Sequence, residues 1–193
     1  TLAHRLAAGH VTLEDIAKNR VPMQVALIMD CSGSMYGTNI TEARRAATAF
    51  VERTLQPNRQ VAVVAFPGGL KTPPTGDGAR IAEGLRALTP IGSTPMAKGL
   101  VTAREALKSR AGVQRVFVIL TDGHPDDPQA TAAEAHRIKR MGGRVIAIGV
   151  GRQVQQEFLS GLCSNPSDYR YCNDSVELEG TFINLATELA ASR

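Results

Sequence analysis

Val25-Ala26-Leu27-Ile28-Met29 is an unbroken apolar run that ends on Asp30, and two hydroxyls follow at alternate positions, Ser32 and Ser34. A run of this kind suits a strand covered on both faces, so its sheet needs a layer of helices on each side. Comparable runs recur at 61–66, 116–120 and 144–150. Strands that alternate with helical stretches imply parallel crossovers and a three-layer α/β/α sandwich.

The stretches between the runs carry helical periodicity. Ala43, Ala46, Ala47, Phe50, Val51 and Leu55 share one face of a helix over 40–55, with Glu42, Arg45, Glu52 and Arg53 turned outward. The pattern predicts strands at 24–30, 61–66, 116–120, 144–150 and 169–172, and helices at 77–88, 95–109, 129–141, 154–162 and 176–191. Ile81, Leu85 and Leu88 form the inner face of the helix at 77–88, and Pro95 opens the next one. A weak segment at 70–72 lies between Pro67 and Pro73-Pro74, which confines it to an edge. Residues 1–20 read as an appendage or linker with a helix start at Thr12-Leu13-Glu14-Asp15, and 21–193 as one domain.

Composition excludes several classes. Net charge is +4 and the pI about 9.2, but the basic residues are scattered among acids and aromatics are only 4%, so nucleic acid is not the expected partner. No apolar run approaches the ~20 residues that span a bilayer. The chain has three cysteines, Cys31, Cys163 and Cys172, without Cys-x-x-Cys spacing, which argues against structural zinc and a stapled secreted fold. The expectation is a cytoplasmic monomer; a cleaved signal or a larger parent protein stays open, and an oxidising compartment would allow Cys163 and Cys172 to pair.

In a doubly wound sheet ordered 3-2-1-4-5-6, strands one and four are neighbours and ligands bind beyond their carboxyl ends. Asp30 ends the first strand and Asp122 the fourth, so the topology brings these two distant acids to one crevice. Asp30-Cys31-Ser32-Gly33-Ser34 resembles the metal-ion-dependent adhesion site (MIDAS) of von Willebrand factor A-type (vWA) domains, which begins Asp-x-Ser-x-Ser. Gly92-Ser93-Thr94-Pro95-Met96 and Leu120-Thr121-Asp122-Gly123 resemble its two later segments. The resemblance runs from about Val21 to Ala191. It implies a mostly parallel six-stranded sheet with one short antiparallel edge strand, and a metal site of Asp30, Ser32, Ser34, Thr94 and Asp122. In such domains the two serines, and sometimes the threonine, bind the ion directly, and the aspartates bind directly or through water.

Five oxygen-bearing side chains select a hard cation, Mg²⁺ first, with Mn²⁺ or Ca²⁺ as alternatives. The resemblance implies a protein-binding module: a partner's Asp or Glu replaces a water on the ion. Family members occur beside AAA-type ATPases or kinase and phosphatase systems. The competing reading is a Mg²⁺-dependent phosphatase or phosphoacceptor. A haloacid-dehalogenase-type enzyme has a second acid where Ser32 stands, and Ser32 cannot act as a general acid near neutral pH. No Gly-x-x-x-x-Gly-Lys loop is present, so no enzyme activity is expected.

Other residues read as ordinary structure. His124 is a loop histidine, and Asp126 and Asp127 cap the helix at 129, with a second acidic rim as the alternative. Cys31 is a small buried thiol, and Tyr36 and Arg152 are surface residues near the rim. Gly149-Val150-Gly151 lacks the third glycine of a dinucleotide loop.

Overall fold

The structure, a computed structural model, describes residues 21–191. The expected appendage at 1–20 and its helix start lie outside the described residues. Six strands form one sheet: β1 (Met23–Asp30), β2 (Arg59–Phe66), β3 (Gly69–Thr75), β4 (Gln114–Thr121), β5 (Gly143–Val150) and β6 (Tyr169–Cys172). Their order is β3-β2-β1-β4-β5-β6, and every pairing is parallel except β2 with β3. Among the described residues six α-helices accompany them: α1 (Thr38–Thr54), α2 (Gly78–Arg86), α3 (Met96–Ala106), α4 (Pro128–Arg140), α5 (Gln156–Leu162) and α6 (Leu178–Ala191).

All eight residues of β1 are buried, because helices cover both faces of the central strand. Val25, Leu27 and Met29 point to a core shared with Phe50 of α1, Ile81 of α2 and Phe182 of α6. Ala26 and Ile28 point the other way, onto Met96 and Leu100 of α3, Ile138 of α4 and Leu159 of α5. Phe50 and Phe182 meet edge to face at 5.7 Å, which fixes α1 against α6. On the opposite face Gly99 lets α3 sit close on β2, since a Cβ there would come within 2.9 Å of the Phe66 ring.

The chain leaves β1 over one face and β4 over the other, which opens the crevice between their ends. Met29 pairs with Leu120, so one step further Asp30 stands beside Thr121. The sheet register itself therefore delivers Asp30 and Asp122 to the same edge.

Several boundaries differ from the sequence expectation. The weak segment is a full strand, and its register shifts between Val61 and Val64 absorb Pro73-Pro74 at the sheet edge. α2 begins at Gly78, because Asp77 is its cap and accepts from the N–H groups of Ala79 and Arg80. Pro95 is the N-cap of α3, and the helix stops at Ala106, where buried Leu107 turns out of helical geometry and Arg115 donates to its carbonyl. Residues 175–177 are a 3₁₀ turn capped by Asp174 ahead of α6. The conditional Cys163–Cys172 pairing is not formed: Cys172 lies in the α1/α6 core and Cys163 in the α3/α4/α5 core, with the sheet between them. All three thiols are free and buried.

Candidate metal centre

β1 ends on Asp30, whose side chain is fully buried. Its Oδ1 accepts the Ser32 N–H at 2.8 Å, which turns the chain sharply, and its Oδ2 accepts the Thr121 hydroxyl at 2.6 Å. Burial pushes the Asp30 carboxyl above its ordinary pKa, the Ser32 and Thr121 hydrogen bonds pull it back, and the Asp122 charge adds a smaller push upward.

The turn runs into a short 3₁₀ segment, Gly33–Met35. Ser32 stands at its N-cap position but makes no side-chain capping bond. Instead Ser32 Oγ lies 3.0 Å from Ser34 Oγ, and Ser34 donates to Asp122 Oδ1 at 2.6 Å. Asn39, in the first turn of α1, donates to Asp122 Oδ2 at 3.3 Å and to the Ser34 carbonyl at 3.4 Å.

The Thr94 loop is bound to this turn through its backbone. Ile91 N–H donates to the Cys31 carbonyl at 2.7 Å, and Gly33 N–H donates to the Gly92 carbonyl at 3.0 Å. Gly92 has φ +67°, which a side chain would strain. Beyond it Thr94 is half-buried, and its side chain makes no hydrogen bond among the described residues.

The structure thus gathers Asp30, Ser32, Ser34 and Asp122 into one hydrogen-bonded chain, and brings Thr94 alongside by its loop. None of Ser32, Ser34, Thr94 and Asp122 caps a helix. α1 and α3 start on Gly37 and Pro95 without side-chain caps, and α4 is capped by Asp127. The donors fit a hard cation. Neighbouring ligands around an octahedral ion at ~2.1 Å stand about 3.0 Å apart, close to the Ser32–Ser34–Asp122 spacings. Among the described residues no group of three or more His, Cys, Asp or Glu gathers as a rival site.

Residues 24–183 match the von Willebrand factor type A domain. The chain belongs to that family. An uncharacterized Synechocystis protein is 27% identical over 86% of this vWA chain and 41% of its own length. The minor fimbrium subunit Mfa5 of Porphyromonas gingivalis is 31% identical over 60% of this chain and 10% of its own. The chain therefore spans less than half of either relative. The solved vWF domain of Mfa5, a type V pili tip protein, superposes with a TM-score of 0.80 at 16% identity, covering 90% of this chain and 97% of that one. Proximal thread matrix protein 1 from the mussel byssus, solved with a zinc-occupied MIDAS motif, gives 0.76 at 24% identity over 86% and 45%. At these identities the two structures show the fold, a three-layer sandwich.

Three residues of the centre escaped the sequence reading. Thr121 lies inside the Leu120-Thr121-Asp122 stretch, and its hydroxyl was legible as a polar residue at the end of an apolar run. Asn39 is a polar residue at the start of the α1 pattern. The sequence expectation makes Asp126 and Asp127 both caps, or a second acidic rim, yet only Asp127 caps α4, accepting from Ala130 at 2.9 Å. Asp126 Oδ1 accepts the Thr94 N–H at 2.8 Å instead. His124 and Arg152 are exposed, and Tyr36 is 81% exposed. Gly149 sits in close packing, since a Cβ there would come within 3.0–3.3 Å of the Tyr169, Leu159 and Val154 side chains. No helix among the described residues is long and apolar enough to cross a membrane.

Proposed function

We propose that this vWA domain binds another protein through a divalent cation held by Asp30, Ser32, Ser34, Thr94 and Asp122, with Mg²⁺ favoured by the all-oxygen donors. The observation that carries the reading is the unbroken run from Ser32 Oγ through Ser34 Oγ to Asp122 Oδ1, hydroxyls directed at one another and spent on no helix cap. A cation there supplies an open position for an anionic oxygen, and the zinc-occupied MIDAS of the byssus protein supports divalent occupancy. Exposed Tyr36 and Ile91, on the two loops that carry the site, offer apolar contact to a protein surface around the carboxylate. Mfa5 is named a pilus tip protein and its fellow a matrix protein. Those names denote parts of assemblies, which supports binding over turnover, with the partner's Asp or Glu as the group recognised.

Calorimetry should find one Mg²⁺ or Mn²⁺ site in the wild type and none in Asp30→Ala or Asp122→Ala. Capture of a partner from the native source should be abolished by chelator. Unchanged metal affinity in both variants would sink the site. Chelator-insensitive capture, with metal-dependent phosphoester turnover lost in Asp30→Ala, would transfer the site to the phosphatase reading.

A further inference from the structure

The Thr94 loop is gripped from two sides. Toward β1 its grip is the Gly33–Gly92 and Cys31–Ile91 backbone pair described above. On the far side Asp126 holds Thr94 at both of its main-chain polar groups. The Asp126 carboxylate accepts the Thr94 N–H at 2.8 Å, and the Asp126 N–H donates to the Thr94 carbonyl at 3.0 Å. The next residue, Asp127, is locked as the α4 cap, so this grip is anchored to a helix end. α3 and α4, which follow the two loops, are further joined by the Arg104–Glu134 ion pair.

We propose that Asp126 is a positioning residue of the metal centre: it fixes the Thr94 backbone so that Thr94 Oγ1 is presented to the cation, without touching the cation itself. The inference rests on the metal reading above. A ligand residue whose backbone is already held loses less conformational freedom on binding than one ordered by the ion. The rival role for Asp126 is plain charge, an acidic rim that attracts the cation from a distance. The two roles separate at Asp126→Asn, which keeps an oxygen acceptor for the Thr94 N–H and removes the charge.

The test uses the full chain as wild type, Asp126→Ala, Asp126→Asn, Thr94→Ala and the Asp126→Ala/Thr94→Ala double variant. Amide exchange at Thr94 is followed in the metal-free protein, and Mn²⁺ affinity is measured by calorimetry. Thr94 exchange should quicken by about tenfold or more in Asp126→Ala and stay near wild type in Asp126→Asn. Mn²⁺ affinity should fall roughly fivefold in Asp126→Ala and less than about twofold in Asp126→Asn. Asp126→Ala should add nothing in the Thr94→Ala background, since Asp126 acts through that side chain. Equal Mn²⁺ losses in Asp126→Asn and Asp126→Ala would overturn the proposal in favour of charge, and so would an undiminished Asp126→Ala effect on top of Thr94→Ala. Normal Mn²⁺ binding in Asp126→Ala would overturn this inference alone, whereas a wild type that binds no Mn²⁺ would remove the metal reading and this inference with it.

Discussion

Asp30 and Asp122 end neighbouring strands and carry the same carboxylate, but their surroundings divide the site into an inner and an outer half. Asp30 is sealed: no surface is exposed, and both oxygens are taken by Ser32 N–H and the Thr121 hydroxyl. Asp122 keeps 8% exposure, meets Ser34 and Asn39, and borders a cleft of about 400 Å³ that reaches Arg152 and Asn173. The inner half stores a negative charge wired into the sheet, and the outer half presents oxygens to solvent. A buried carboxylate is costly unless hydrogen-bonded or matched by positive charge. Asp30 has the hydrogen bonds, and the proposed cation is the match.

The largest effect should come from removing either charge when metal is present. A ligand that binds only the native state stabilises by about 2.7 kcal/mol at a hundred times Kd. Asp30→Asn and Asp122→Asn should both lose that gain, read as the Mg²⁺-dependent shift in urea midpoint. Without metal the two should part. Asp30→Asn should be more stable than wild type near neutral pH, because the amide still accepts from Ser32 and buries no charge. Asp122→Asn should stay within about 0.5 kcal/mol of wild type, since its oxygen still receives Ser34. Identical behaviour of the two variants in chelator would erase the division into halves.

The second effect is the pH dependence of the metal-free protein. Asp30 holds its proton more tightly folded than unfolded, because burial raises its pKa. The native state then binds more protons in the window between the ordinary carboxylate value, about 4, and the raised one, so this group lowers stability as pH rises through that window. Saturating Mg²⁺ should reverse the slope, since proton and cation compete for the same charge. Urea denaturation across the acid range, with chelator and with Mg²⁺, reads both signs. Asp30→Asn should flatten the chelator slope, and a slope that survives in Asp30→Asn would assign it elsewhere.

Legibility in the sequence followed the range of the interactions. β1 was readable because burial on both faces leaves an unbroken apolar run, and the Asp30–Asp122 convergence followed from strand order. Local chemistry was readable in part: the acidic pair Asp126-Asp127 marks the capped start of α4, and Asp127 fills that role. Contacts that depend on register or on loop against loop were not. Thr121 reaches Asp30 because β1 and β4 align at Met29 and Leu120. Asp126 finds Thr94 only once two loops are stacked, and nothing in Asp126-Asp127 says which acid caps and which reaches across. The two sides taken by Cys163 and Cys172 likewise depend on how α5 and β6 meet the sheet.

The smallest expected effect tests the outer half by itself. Asn39 supports Asp122 by one long hydrogen bond, 3.3 Å to Oδ2, and the serine turn by another, 3.4 Å to the Ser34 carbonyl. Bonds of that length beside solvent are weak, and water can replace both. Asn39→Ala should therefore cost less than about 0.5 kcal/mol of metal-free stability, and should add to α1 propensity what it removes in contacts. Its effect should appear only when Asp122 is used: a two- to threefold loss of Mg²⁺ affinity, about 0.5 kcal/mol, from a carboxylate less well aimed. The loss should vanish in an Asp122→Asn background if Asn39 acts through Asp122. A loss of stability in chelator larger than the loss of affinity would make Asn39 part of the fold's framework, and the boundary of the outer half would then fall between Asn39 and Ser34.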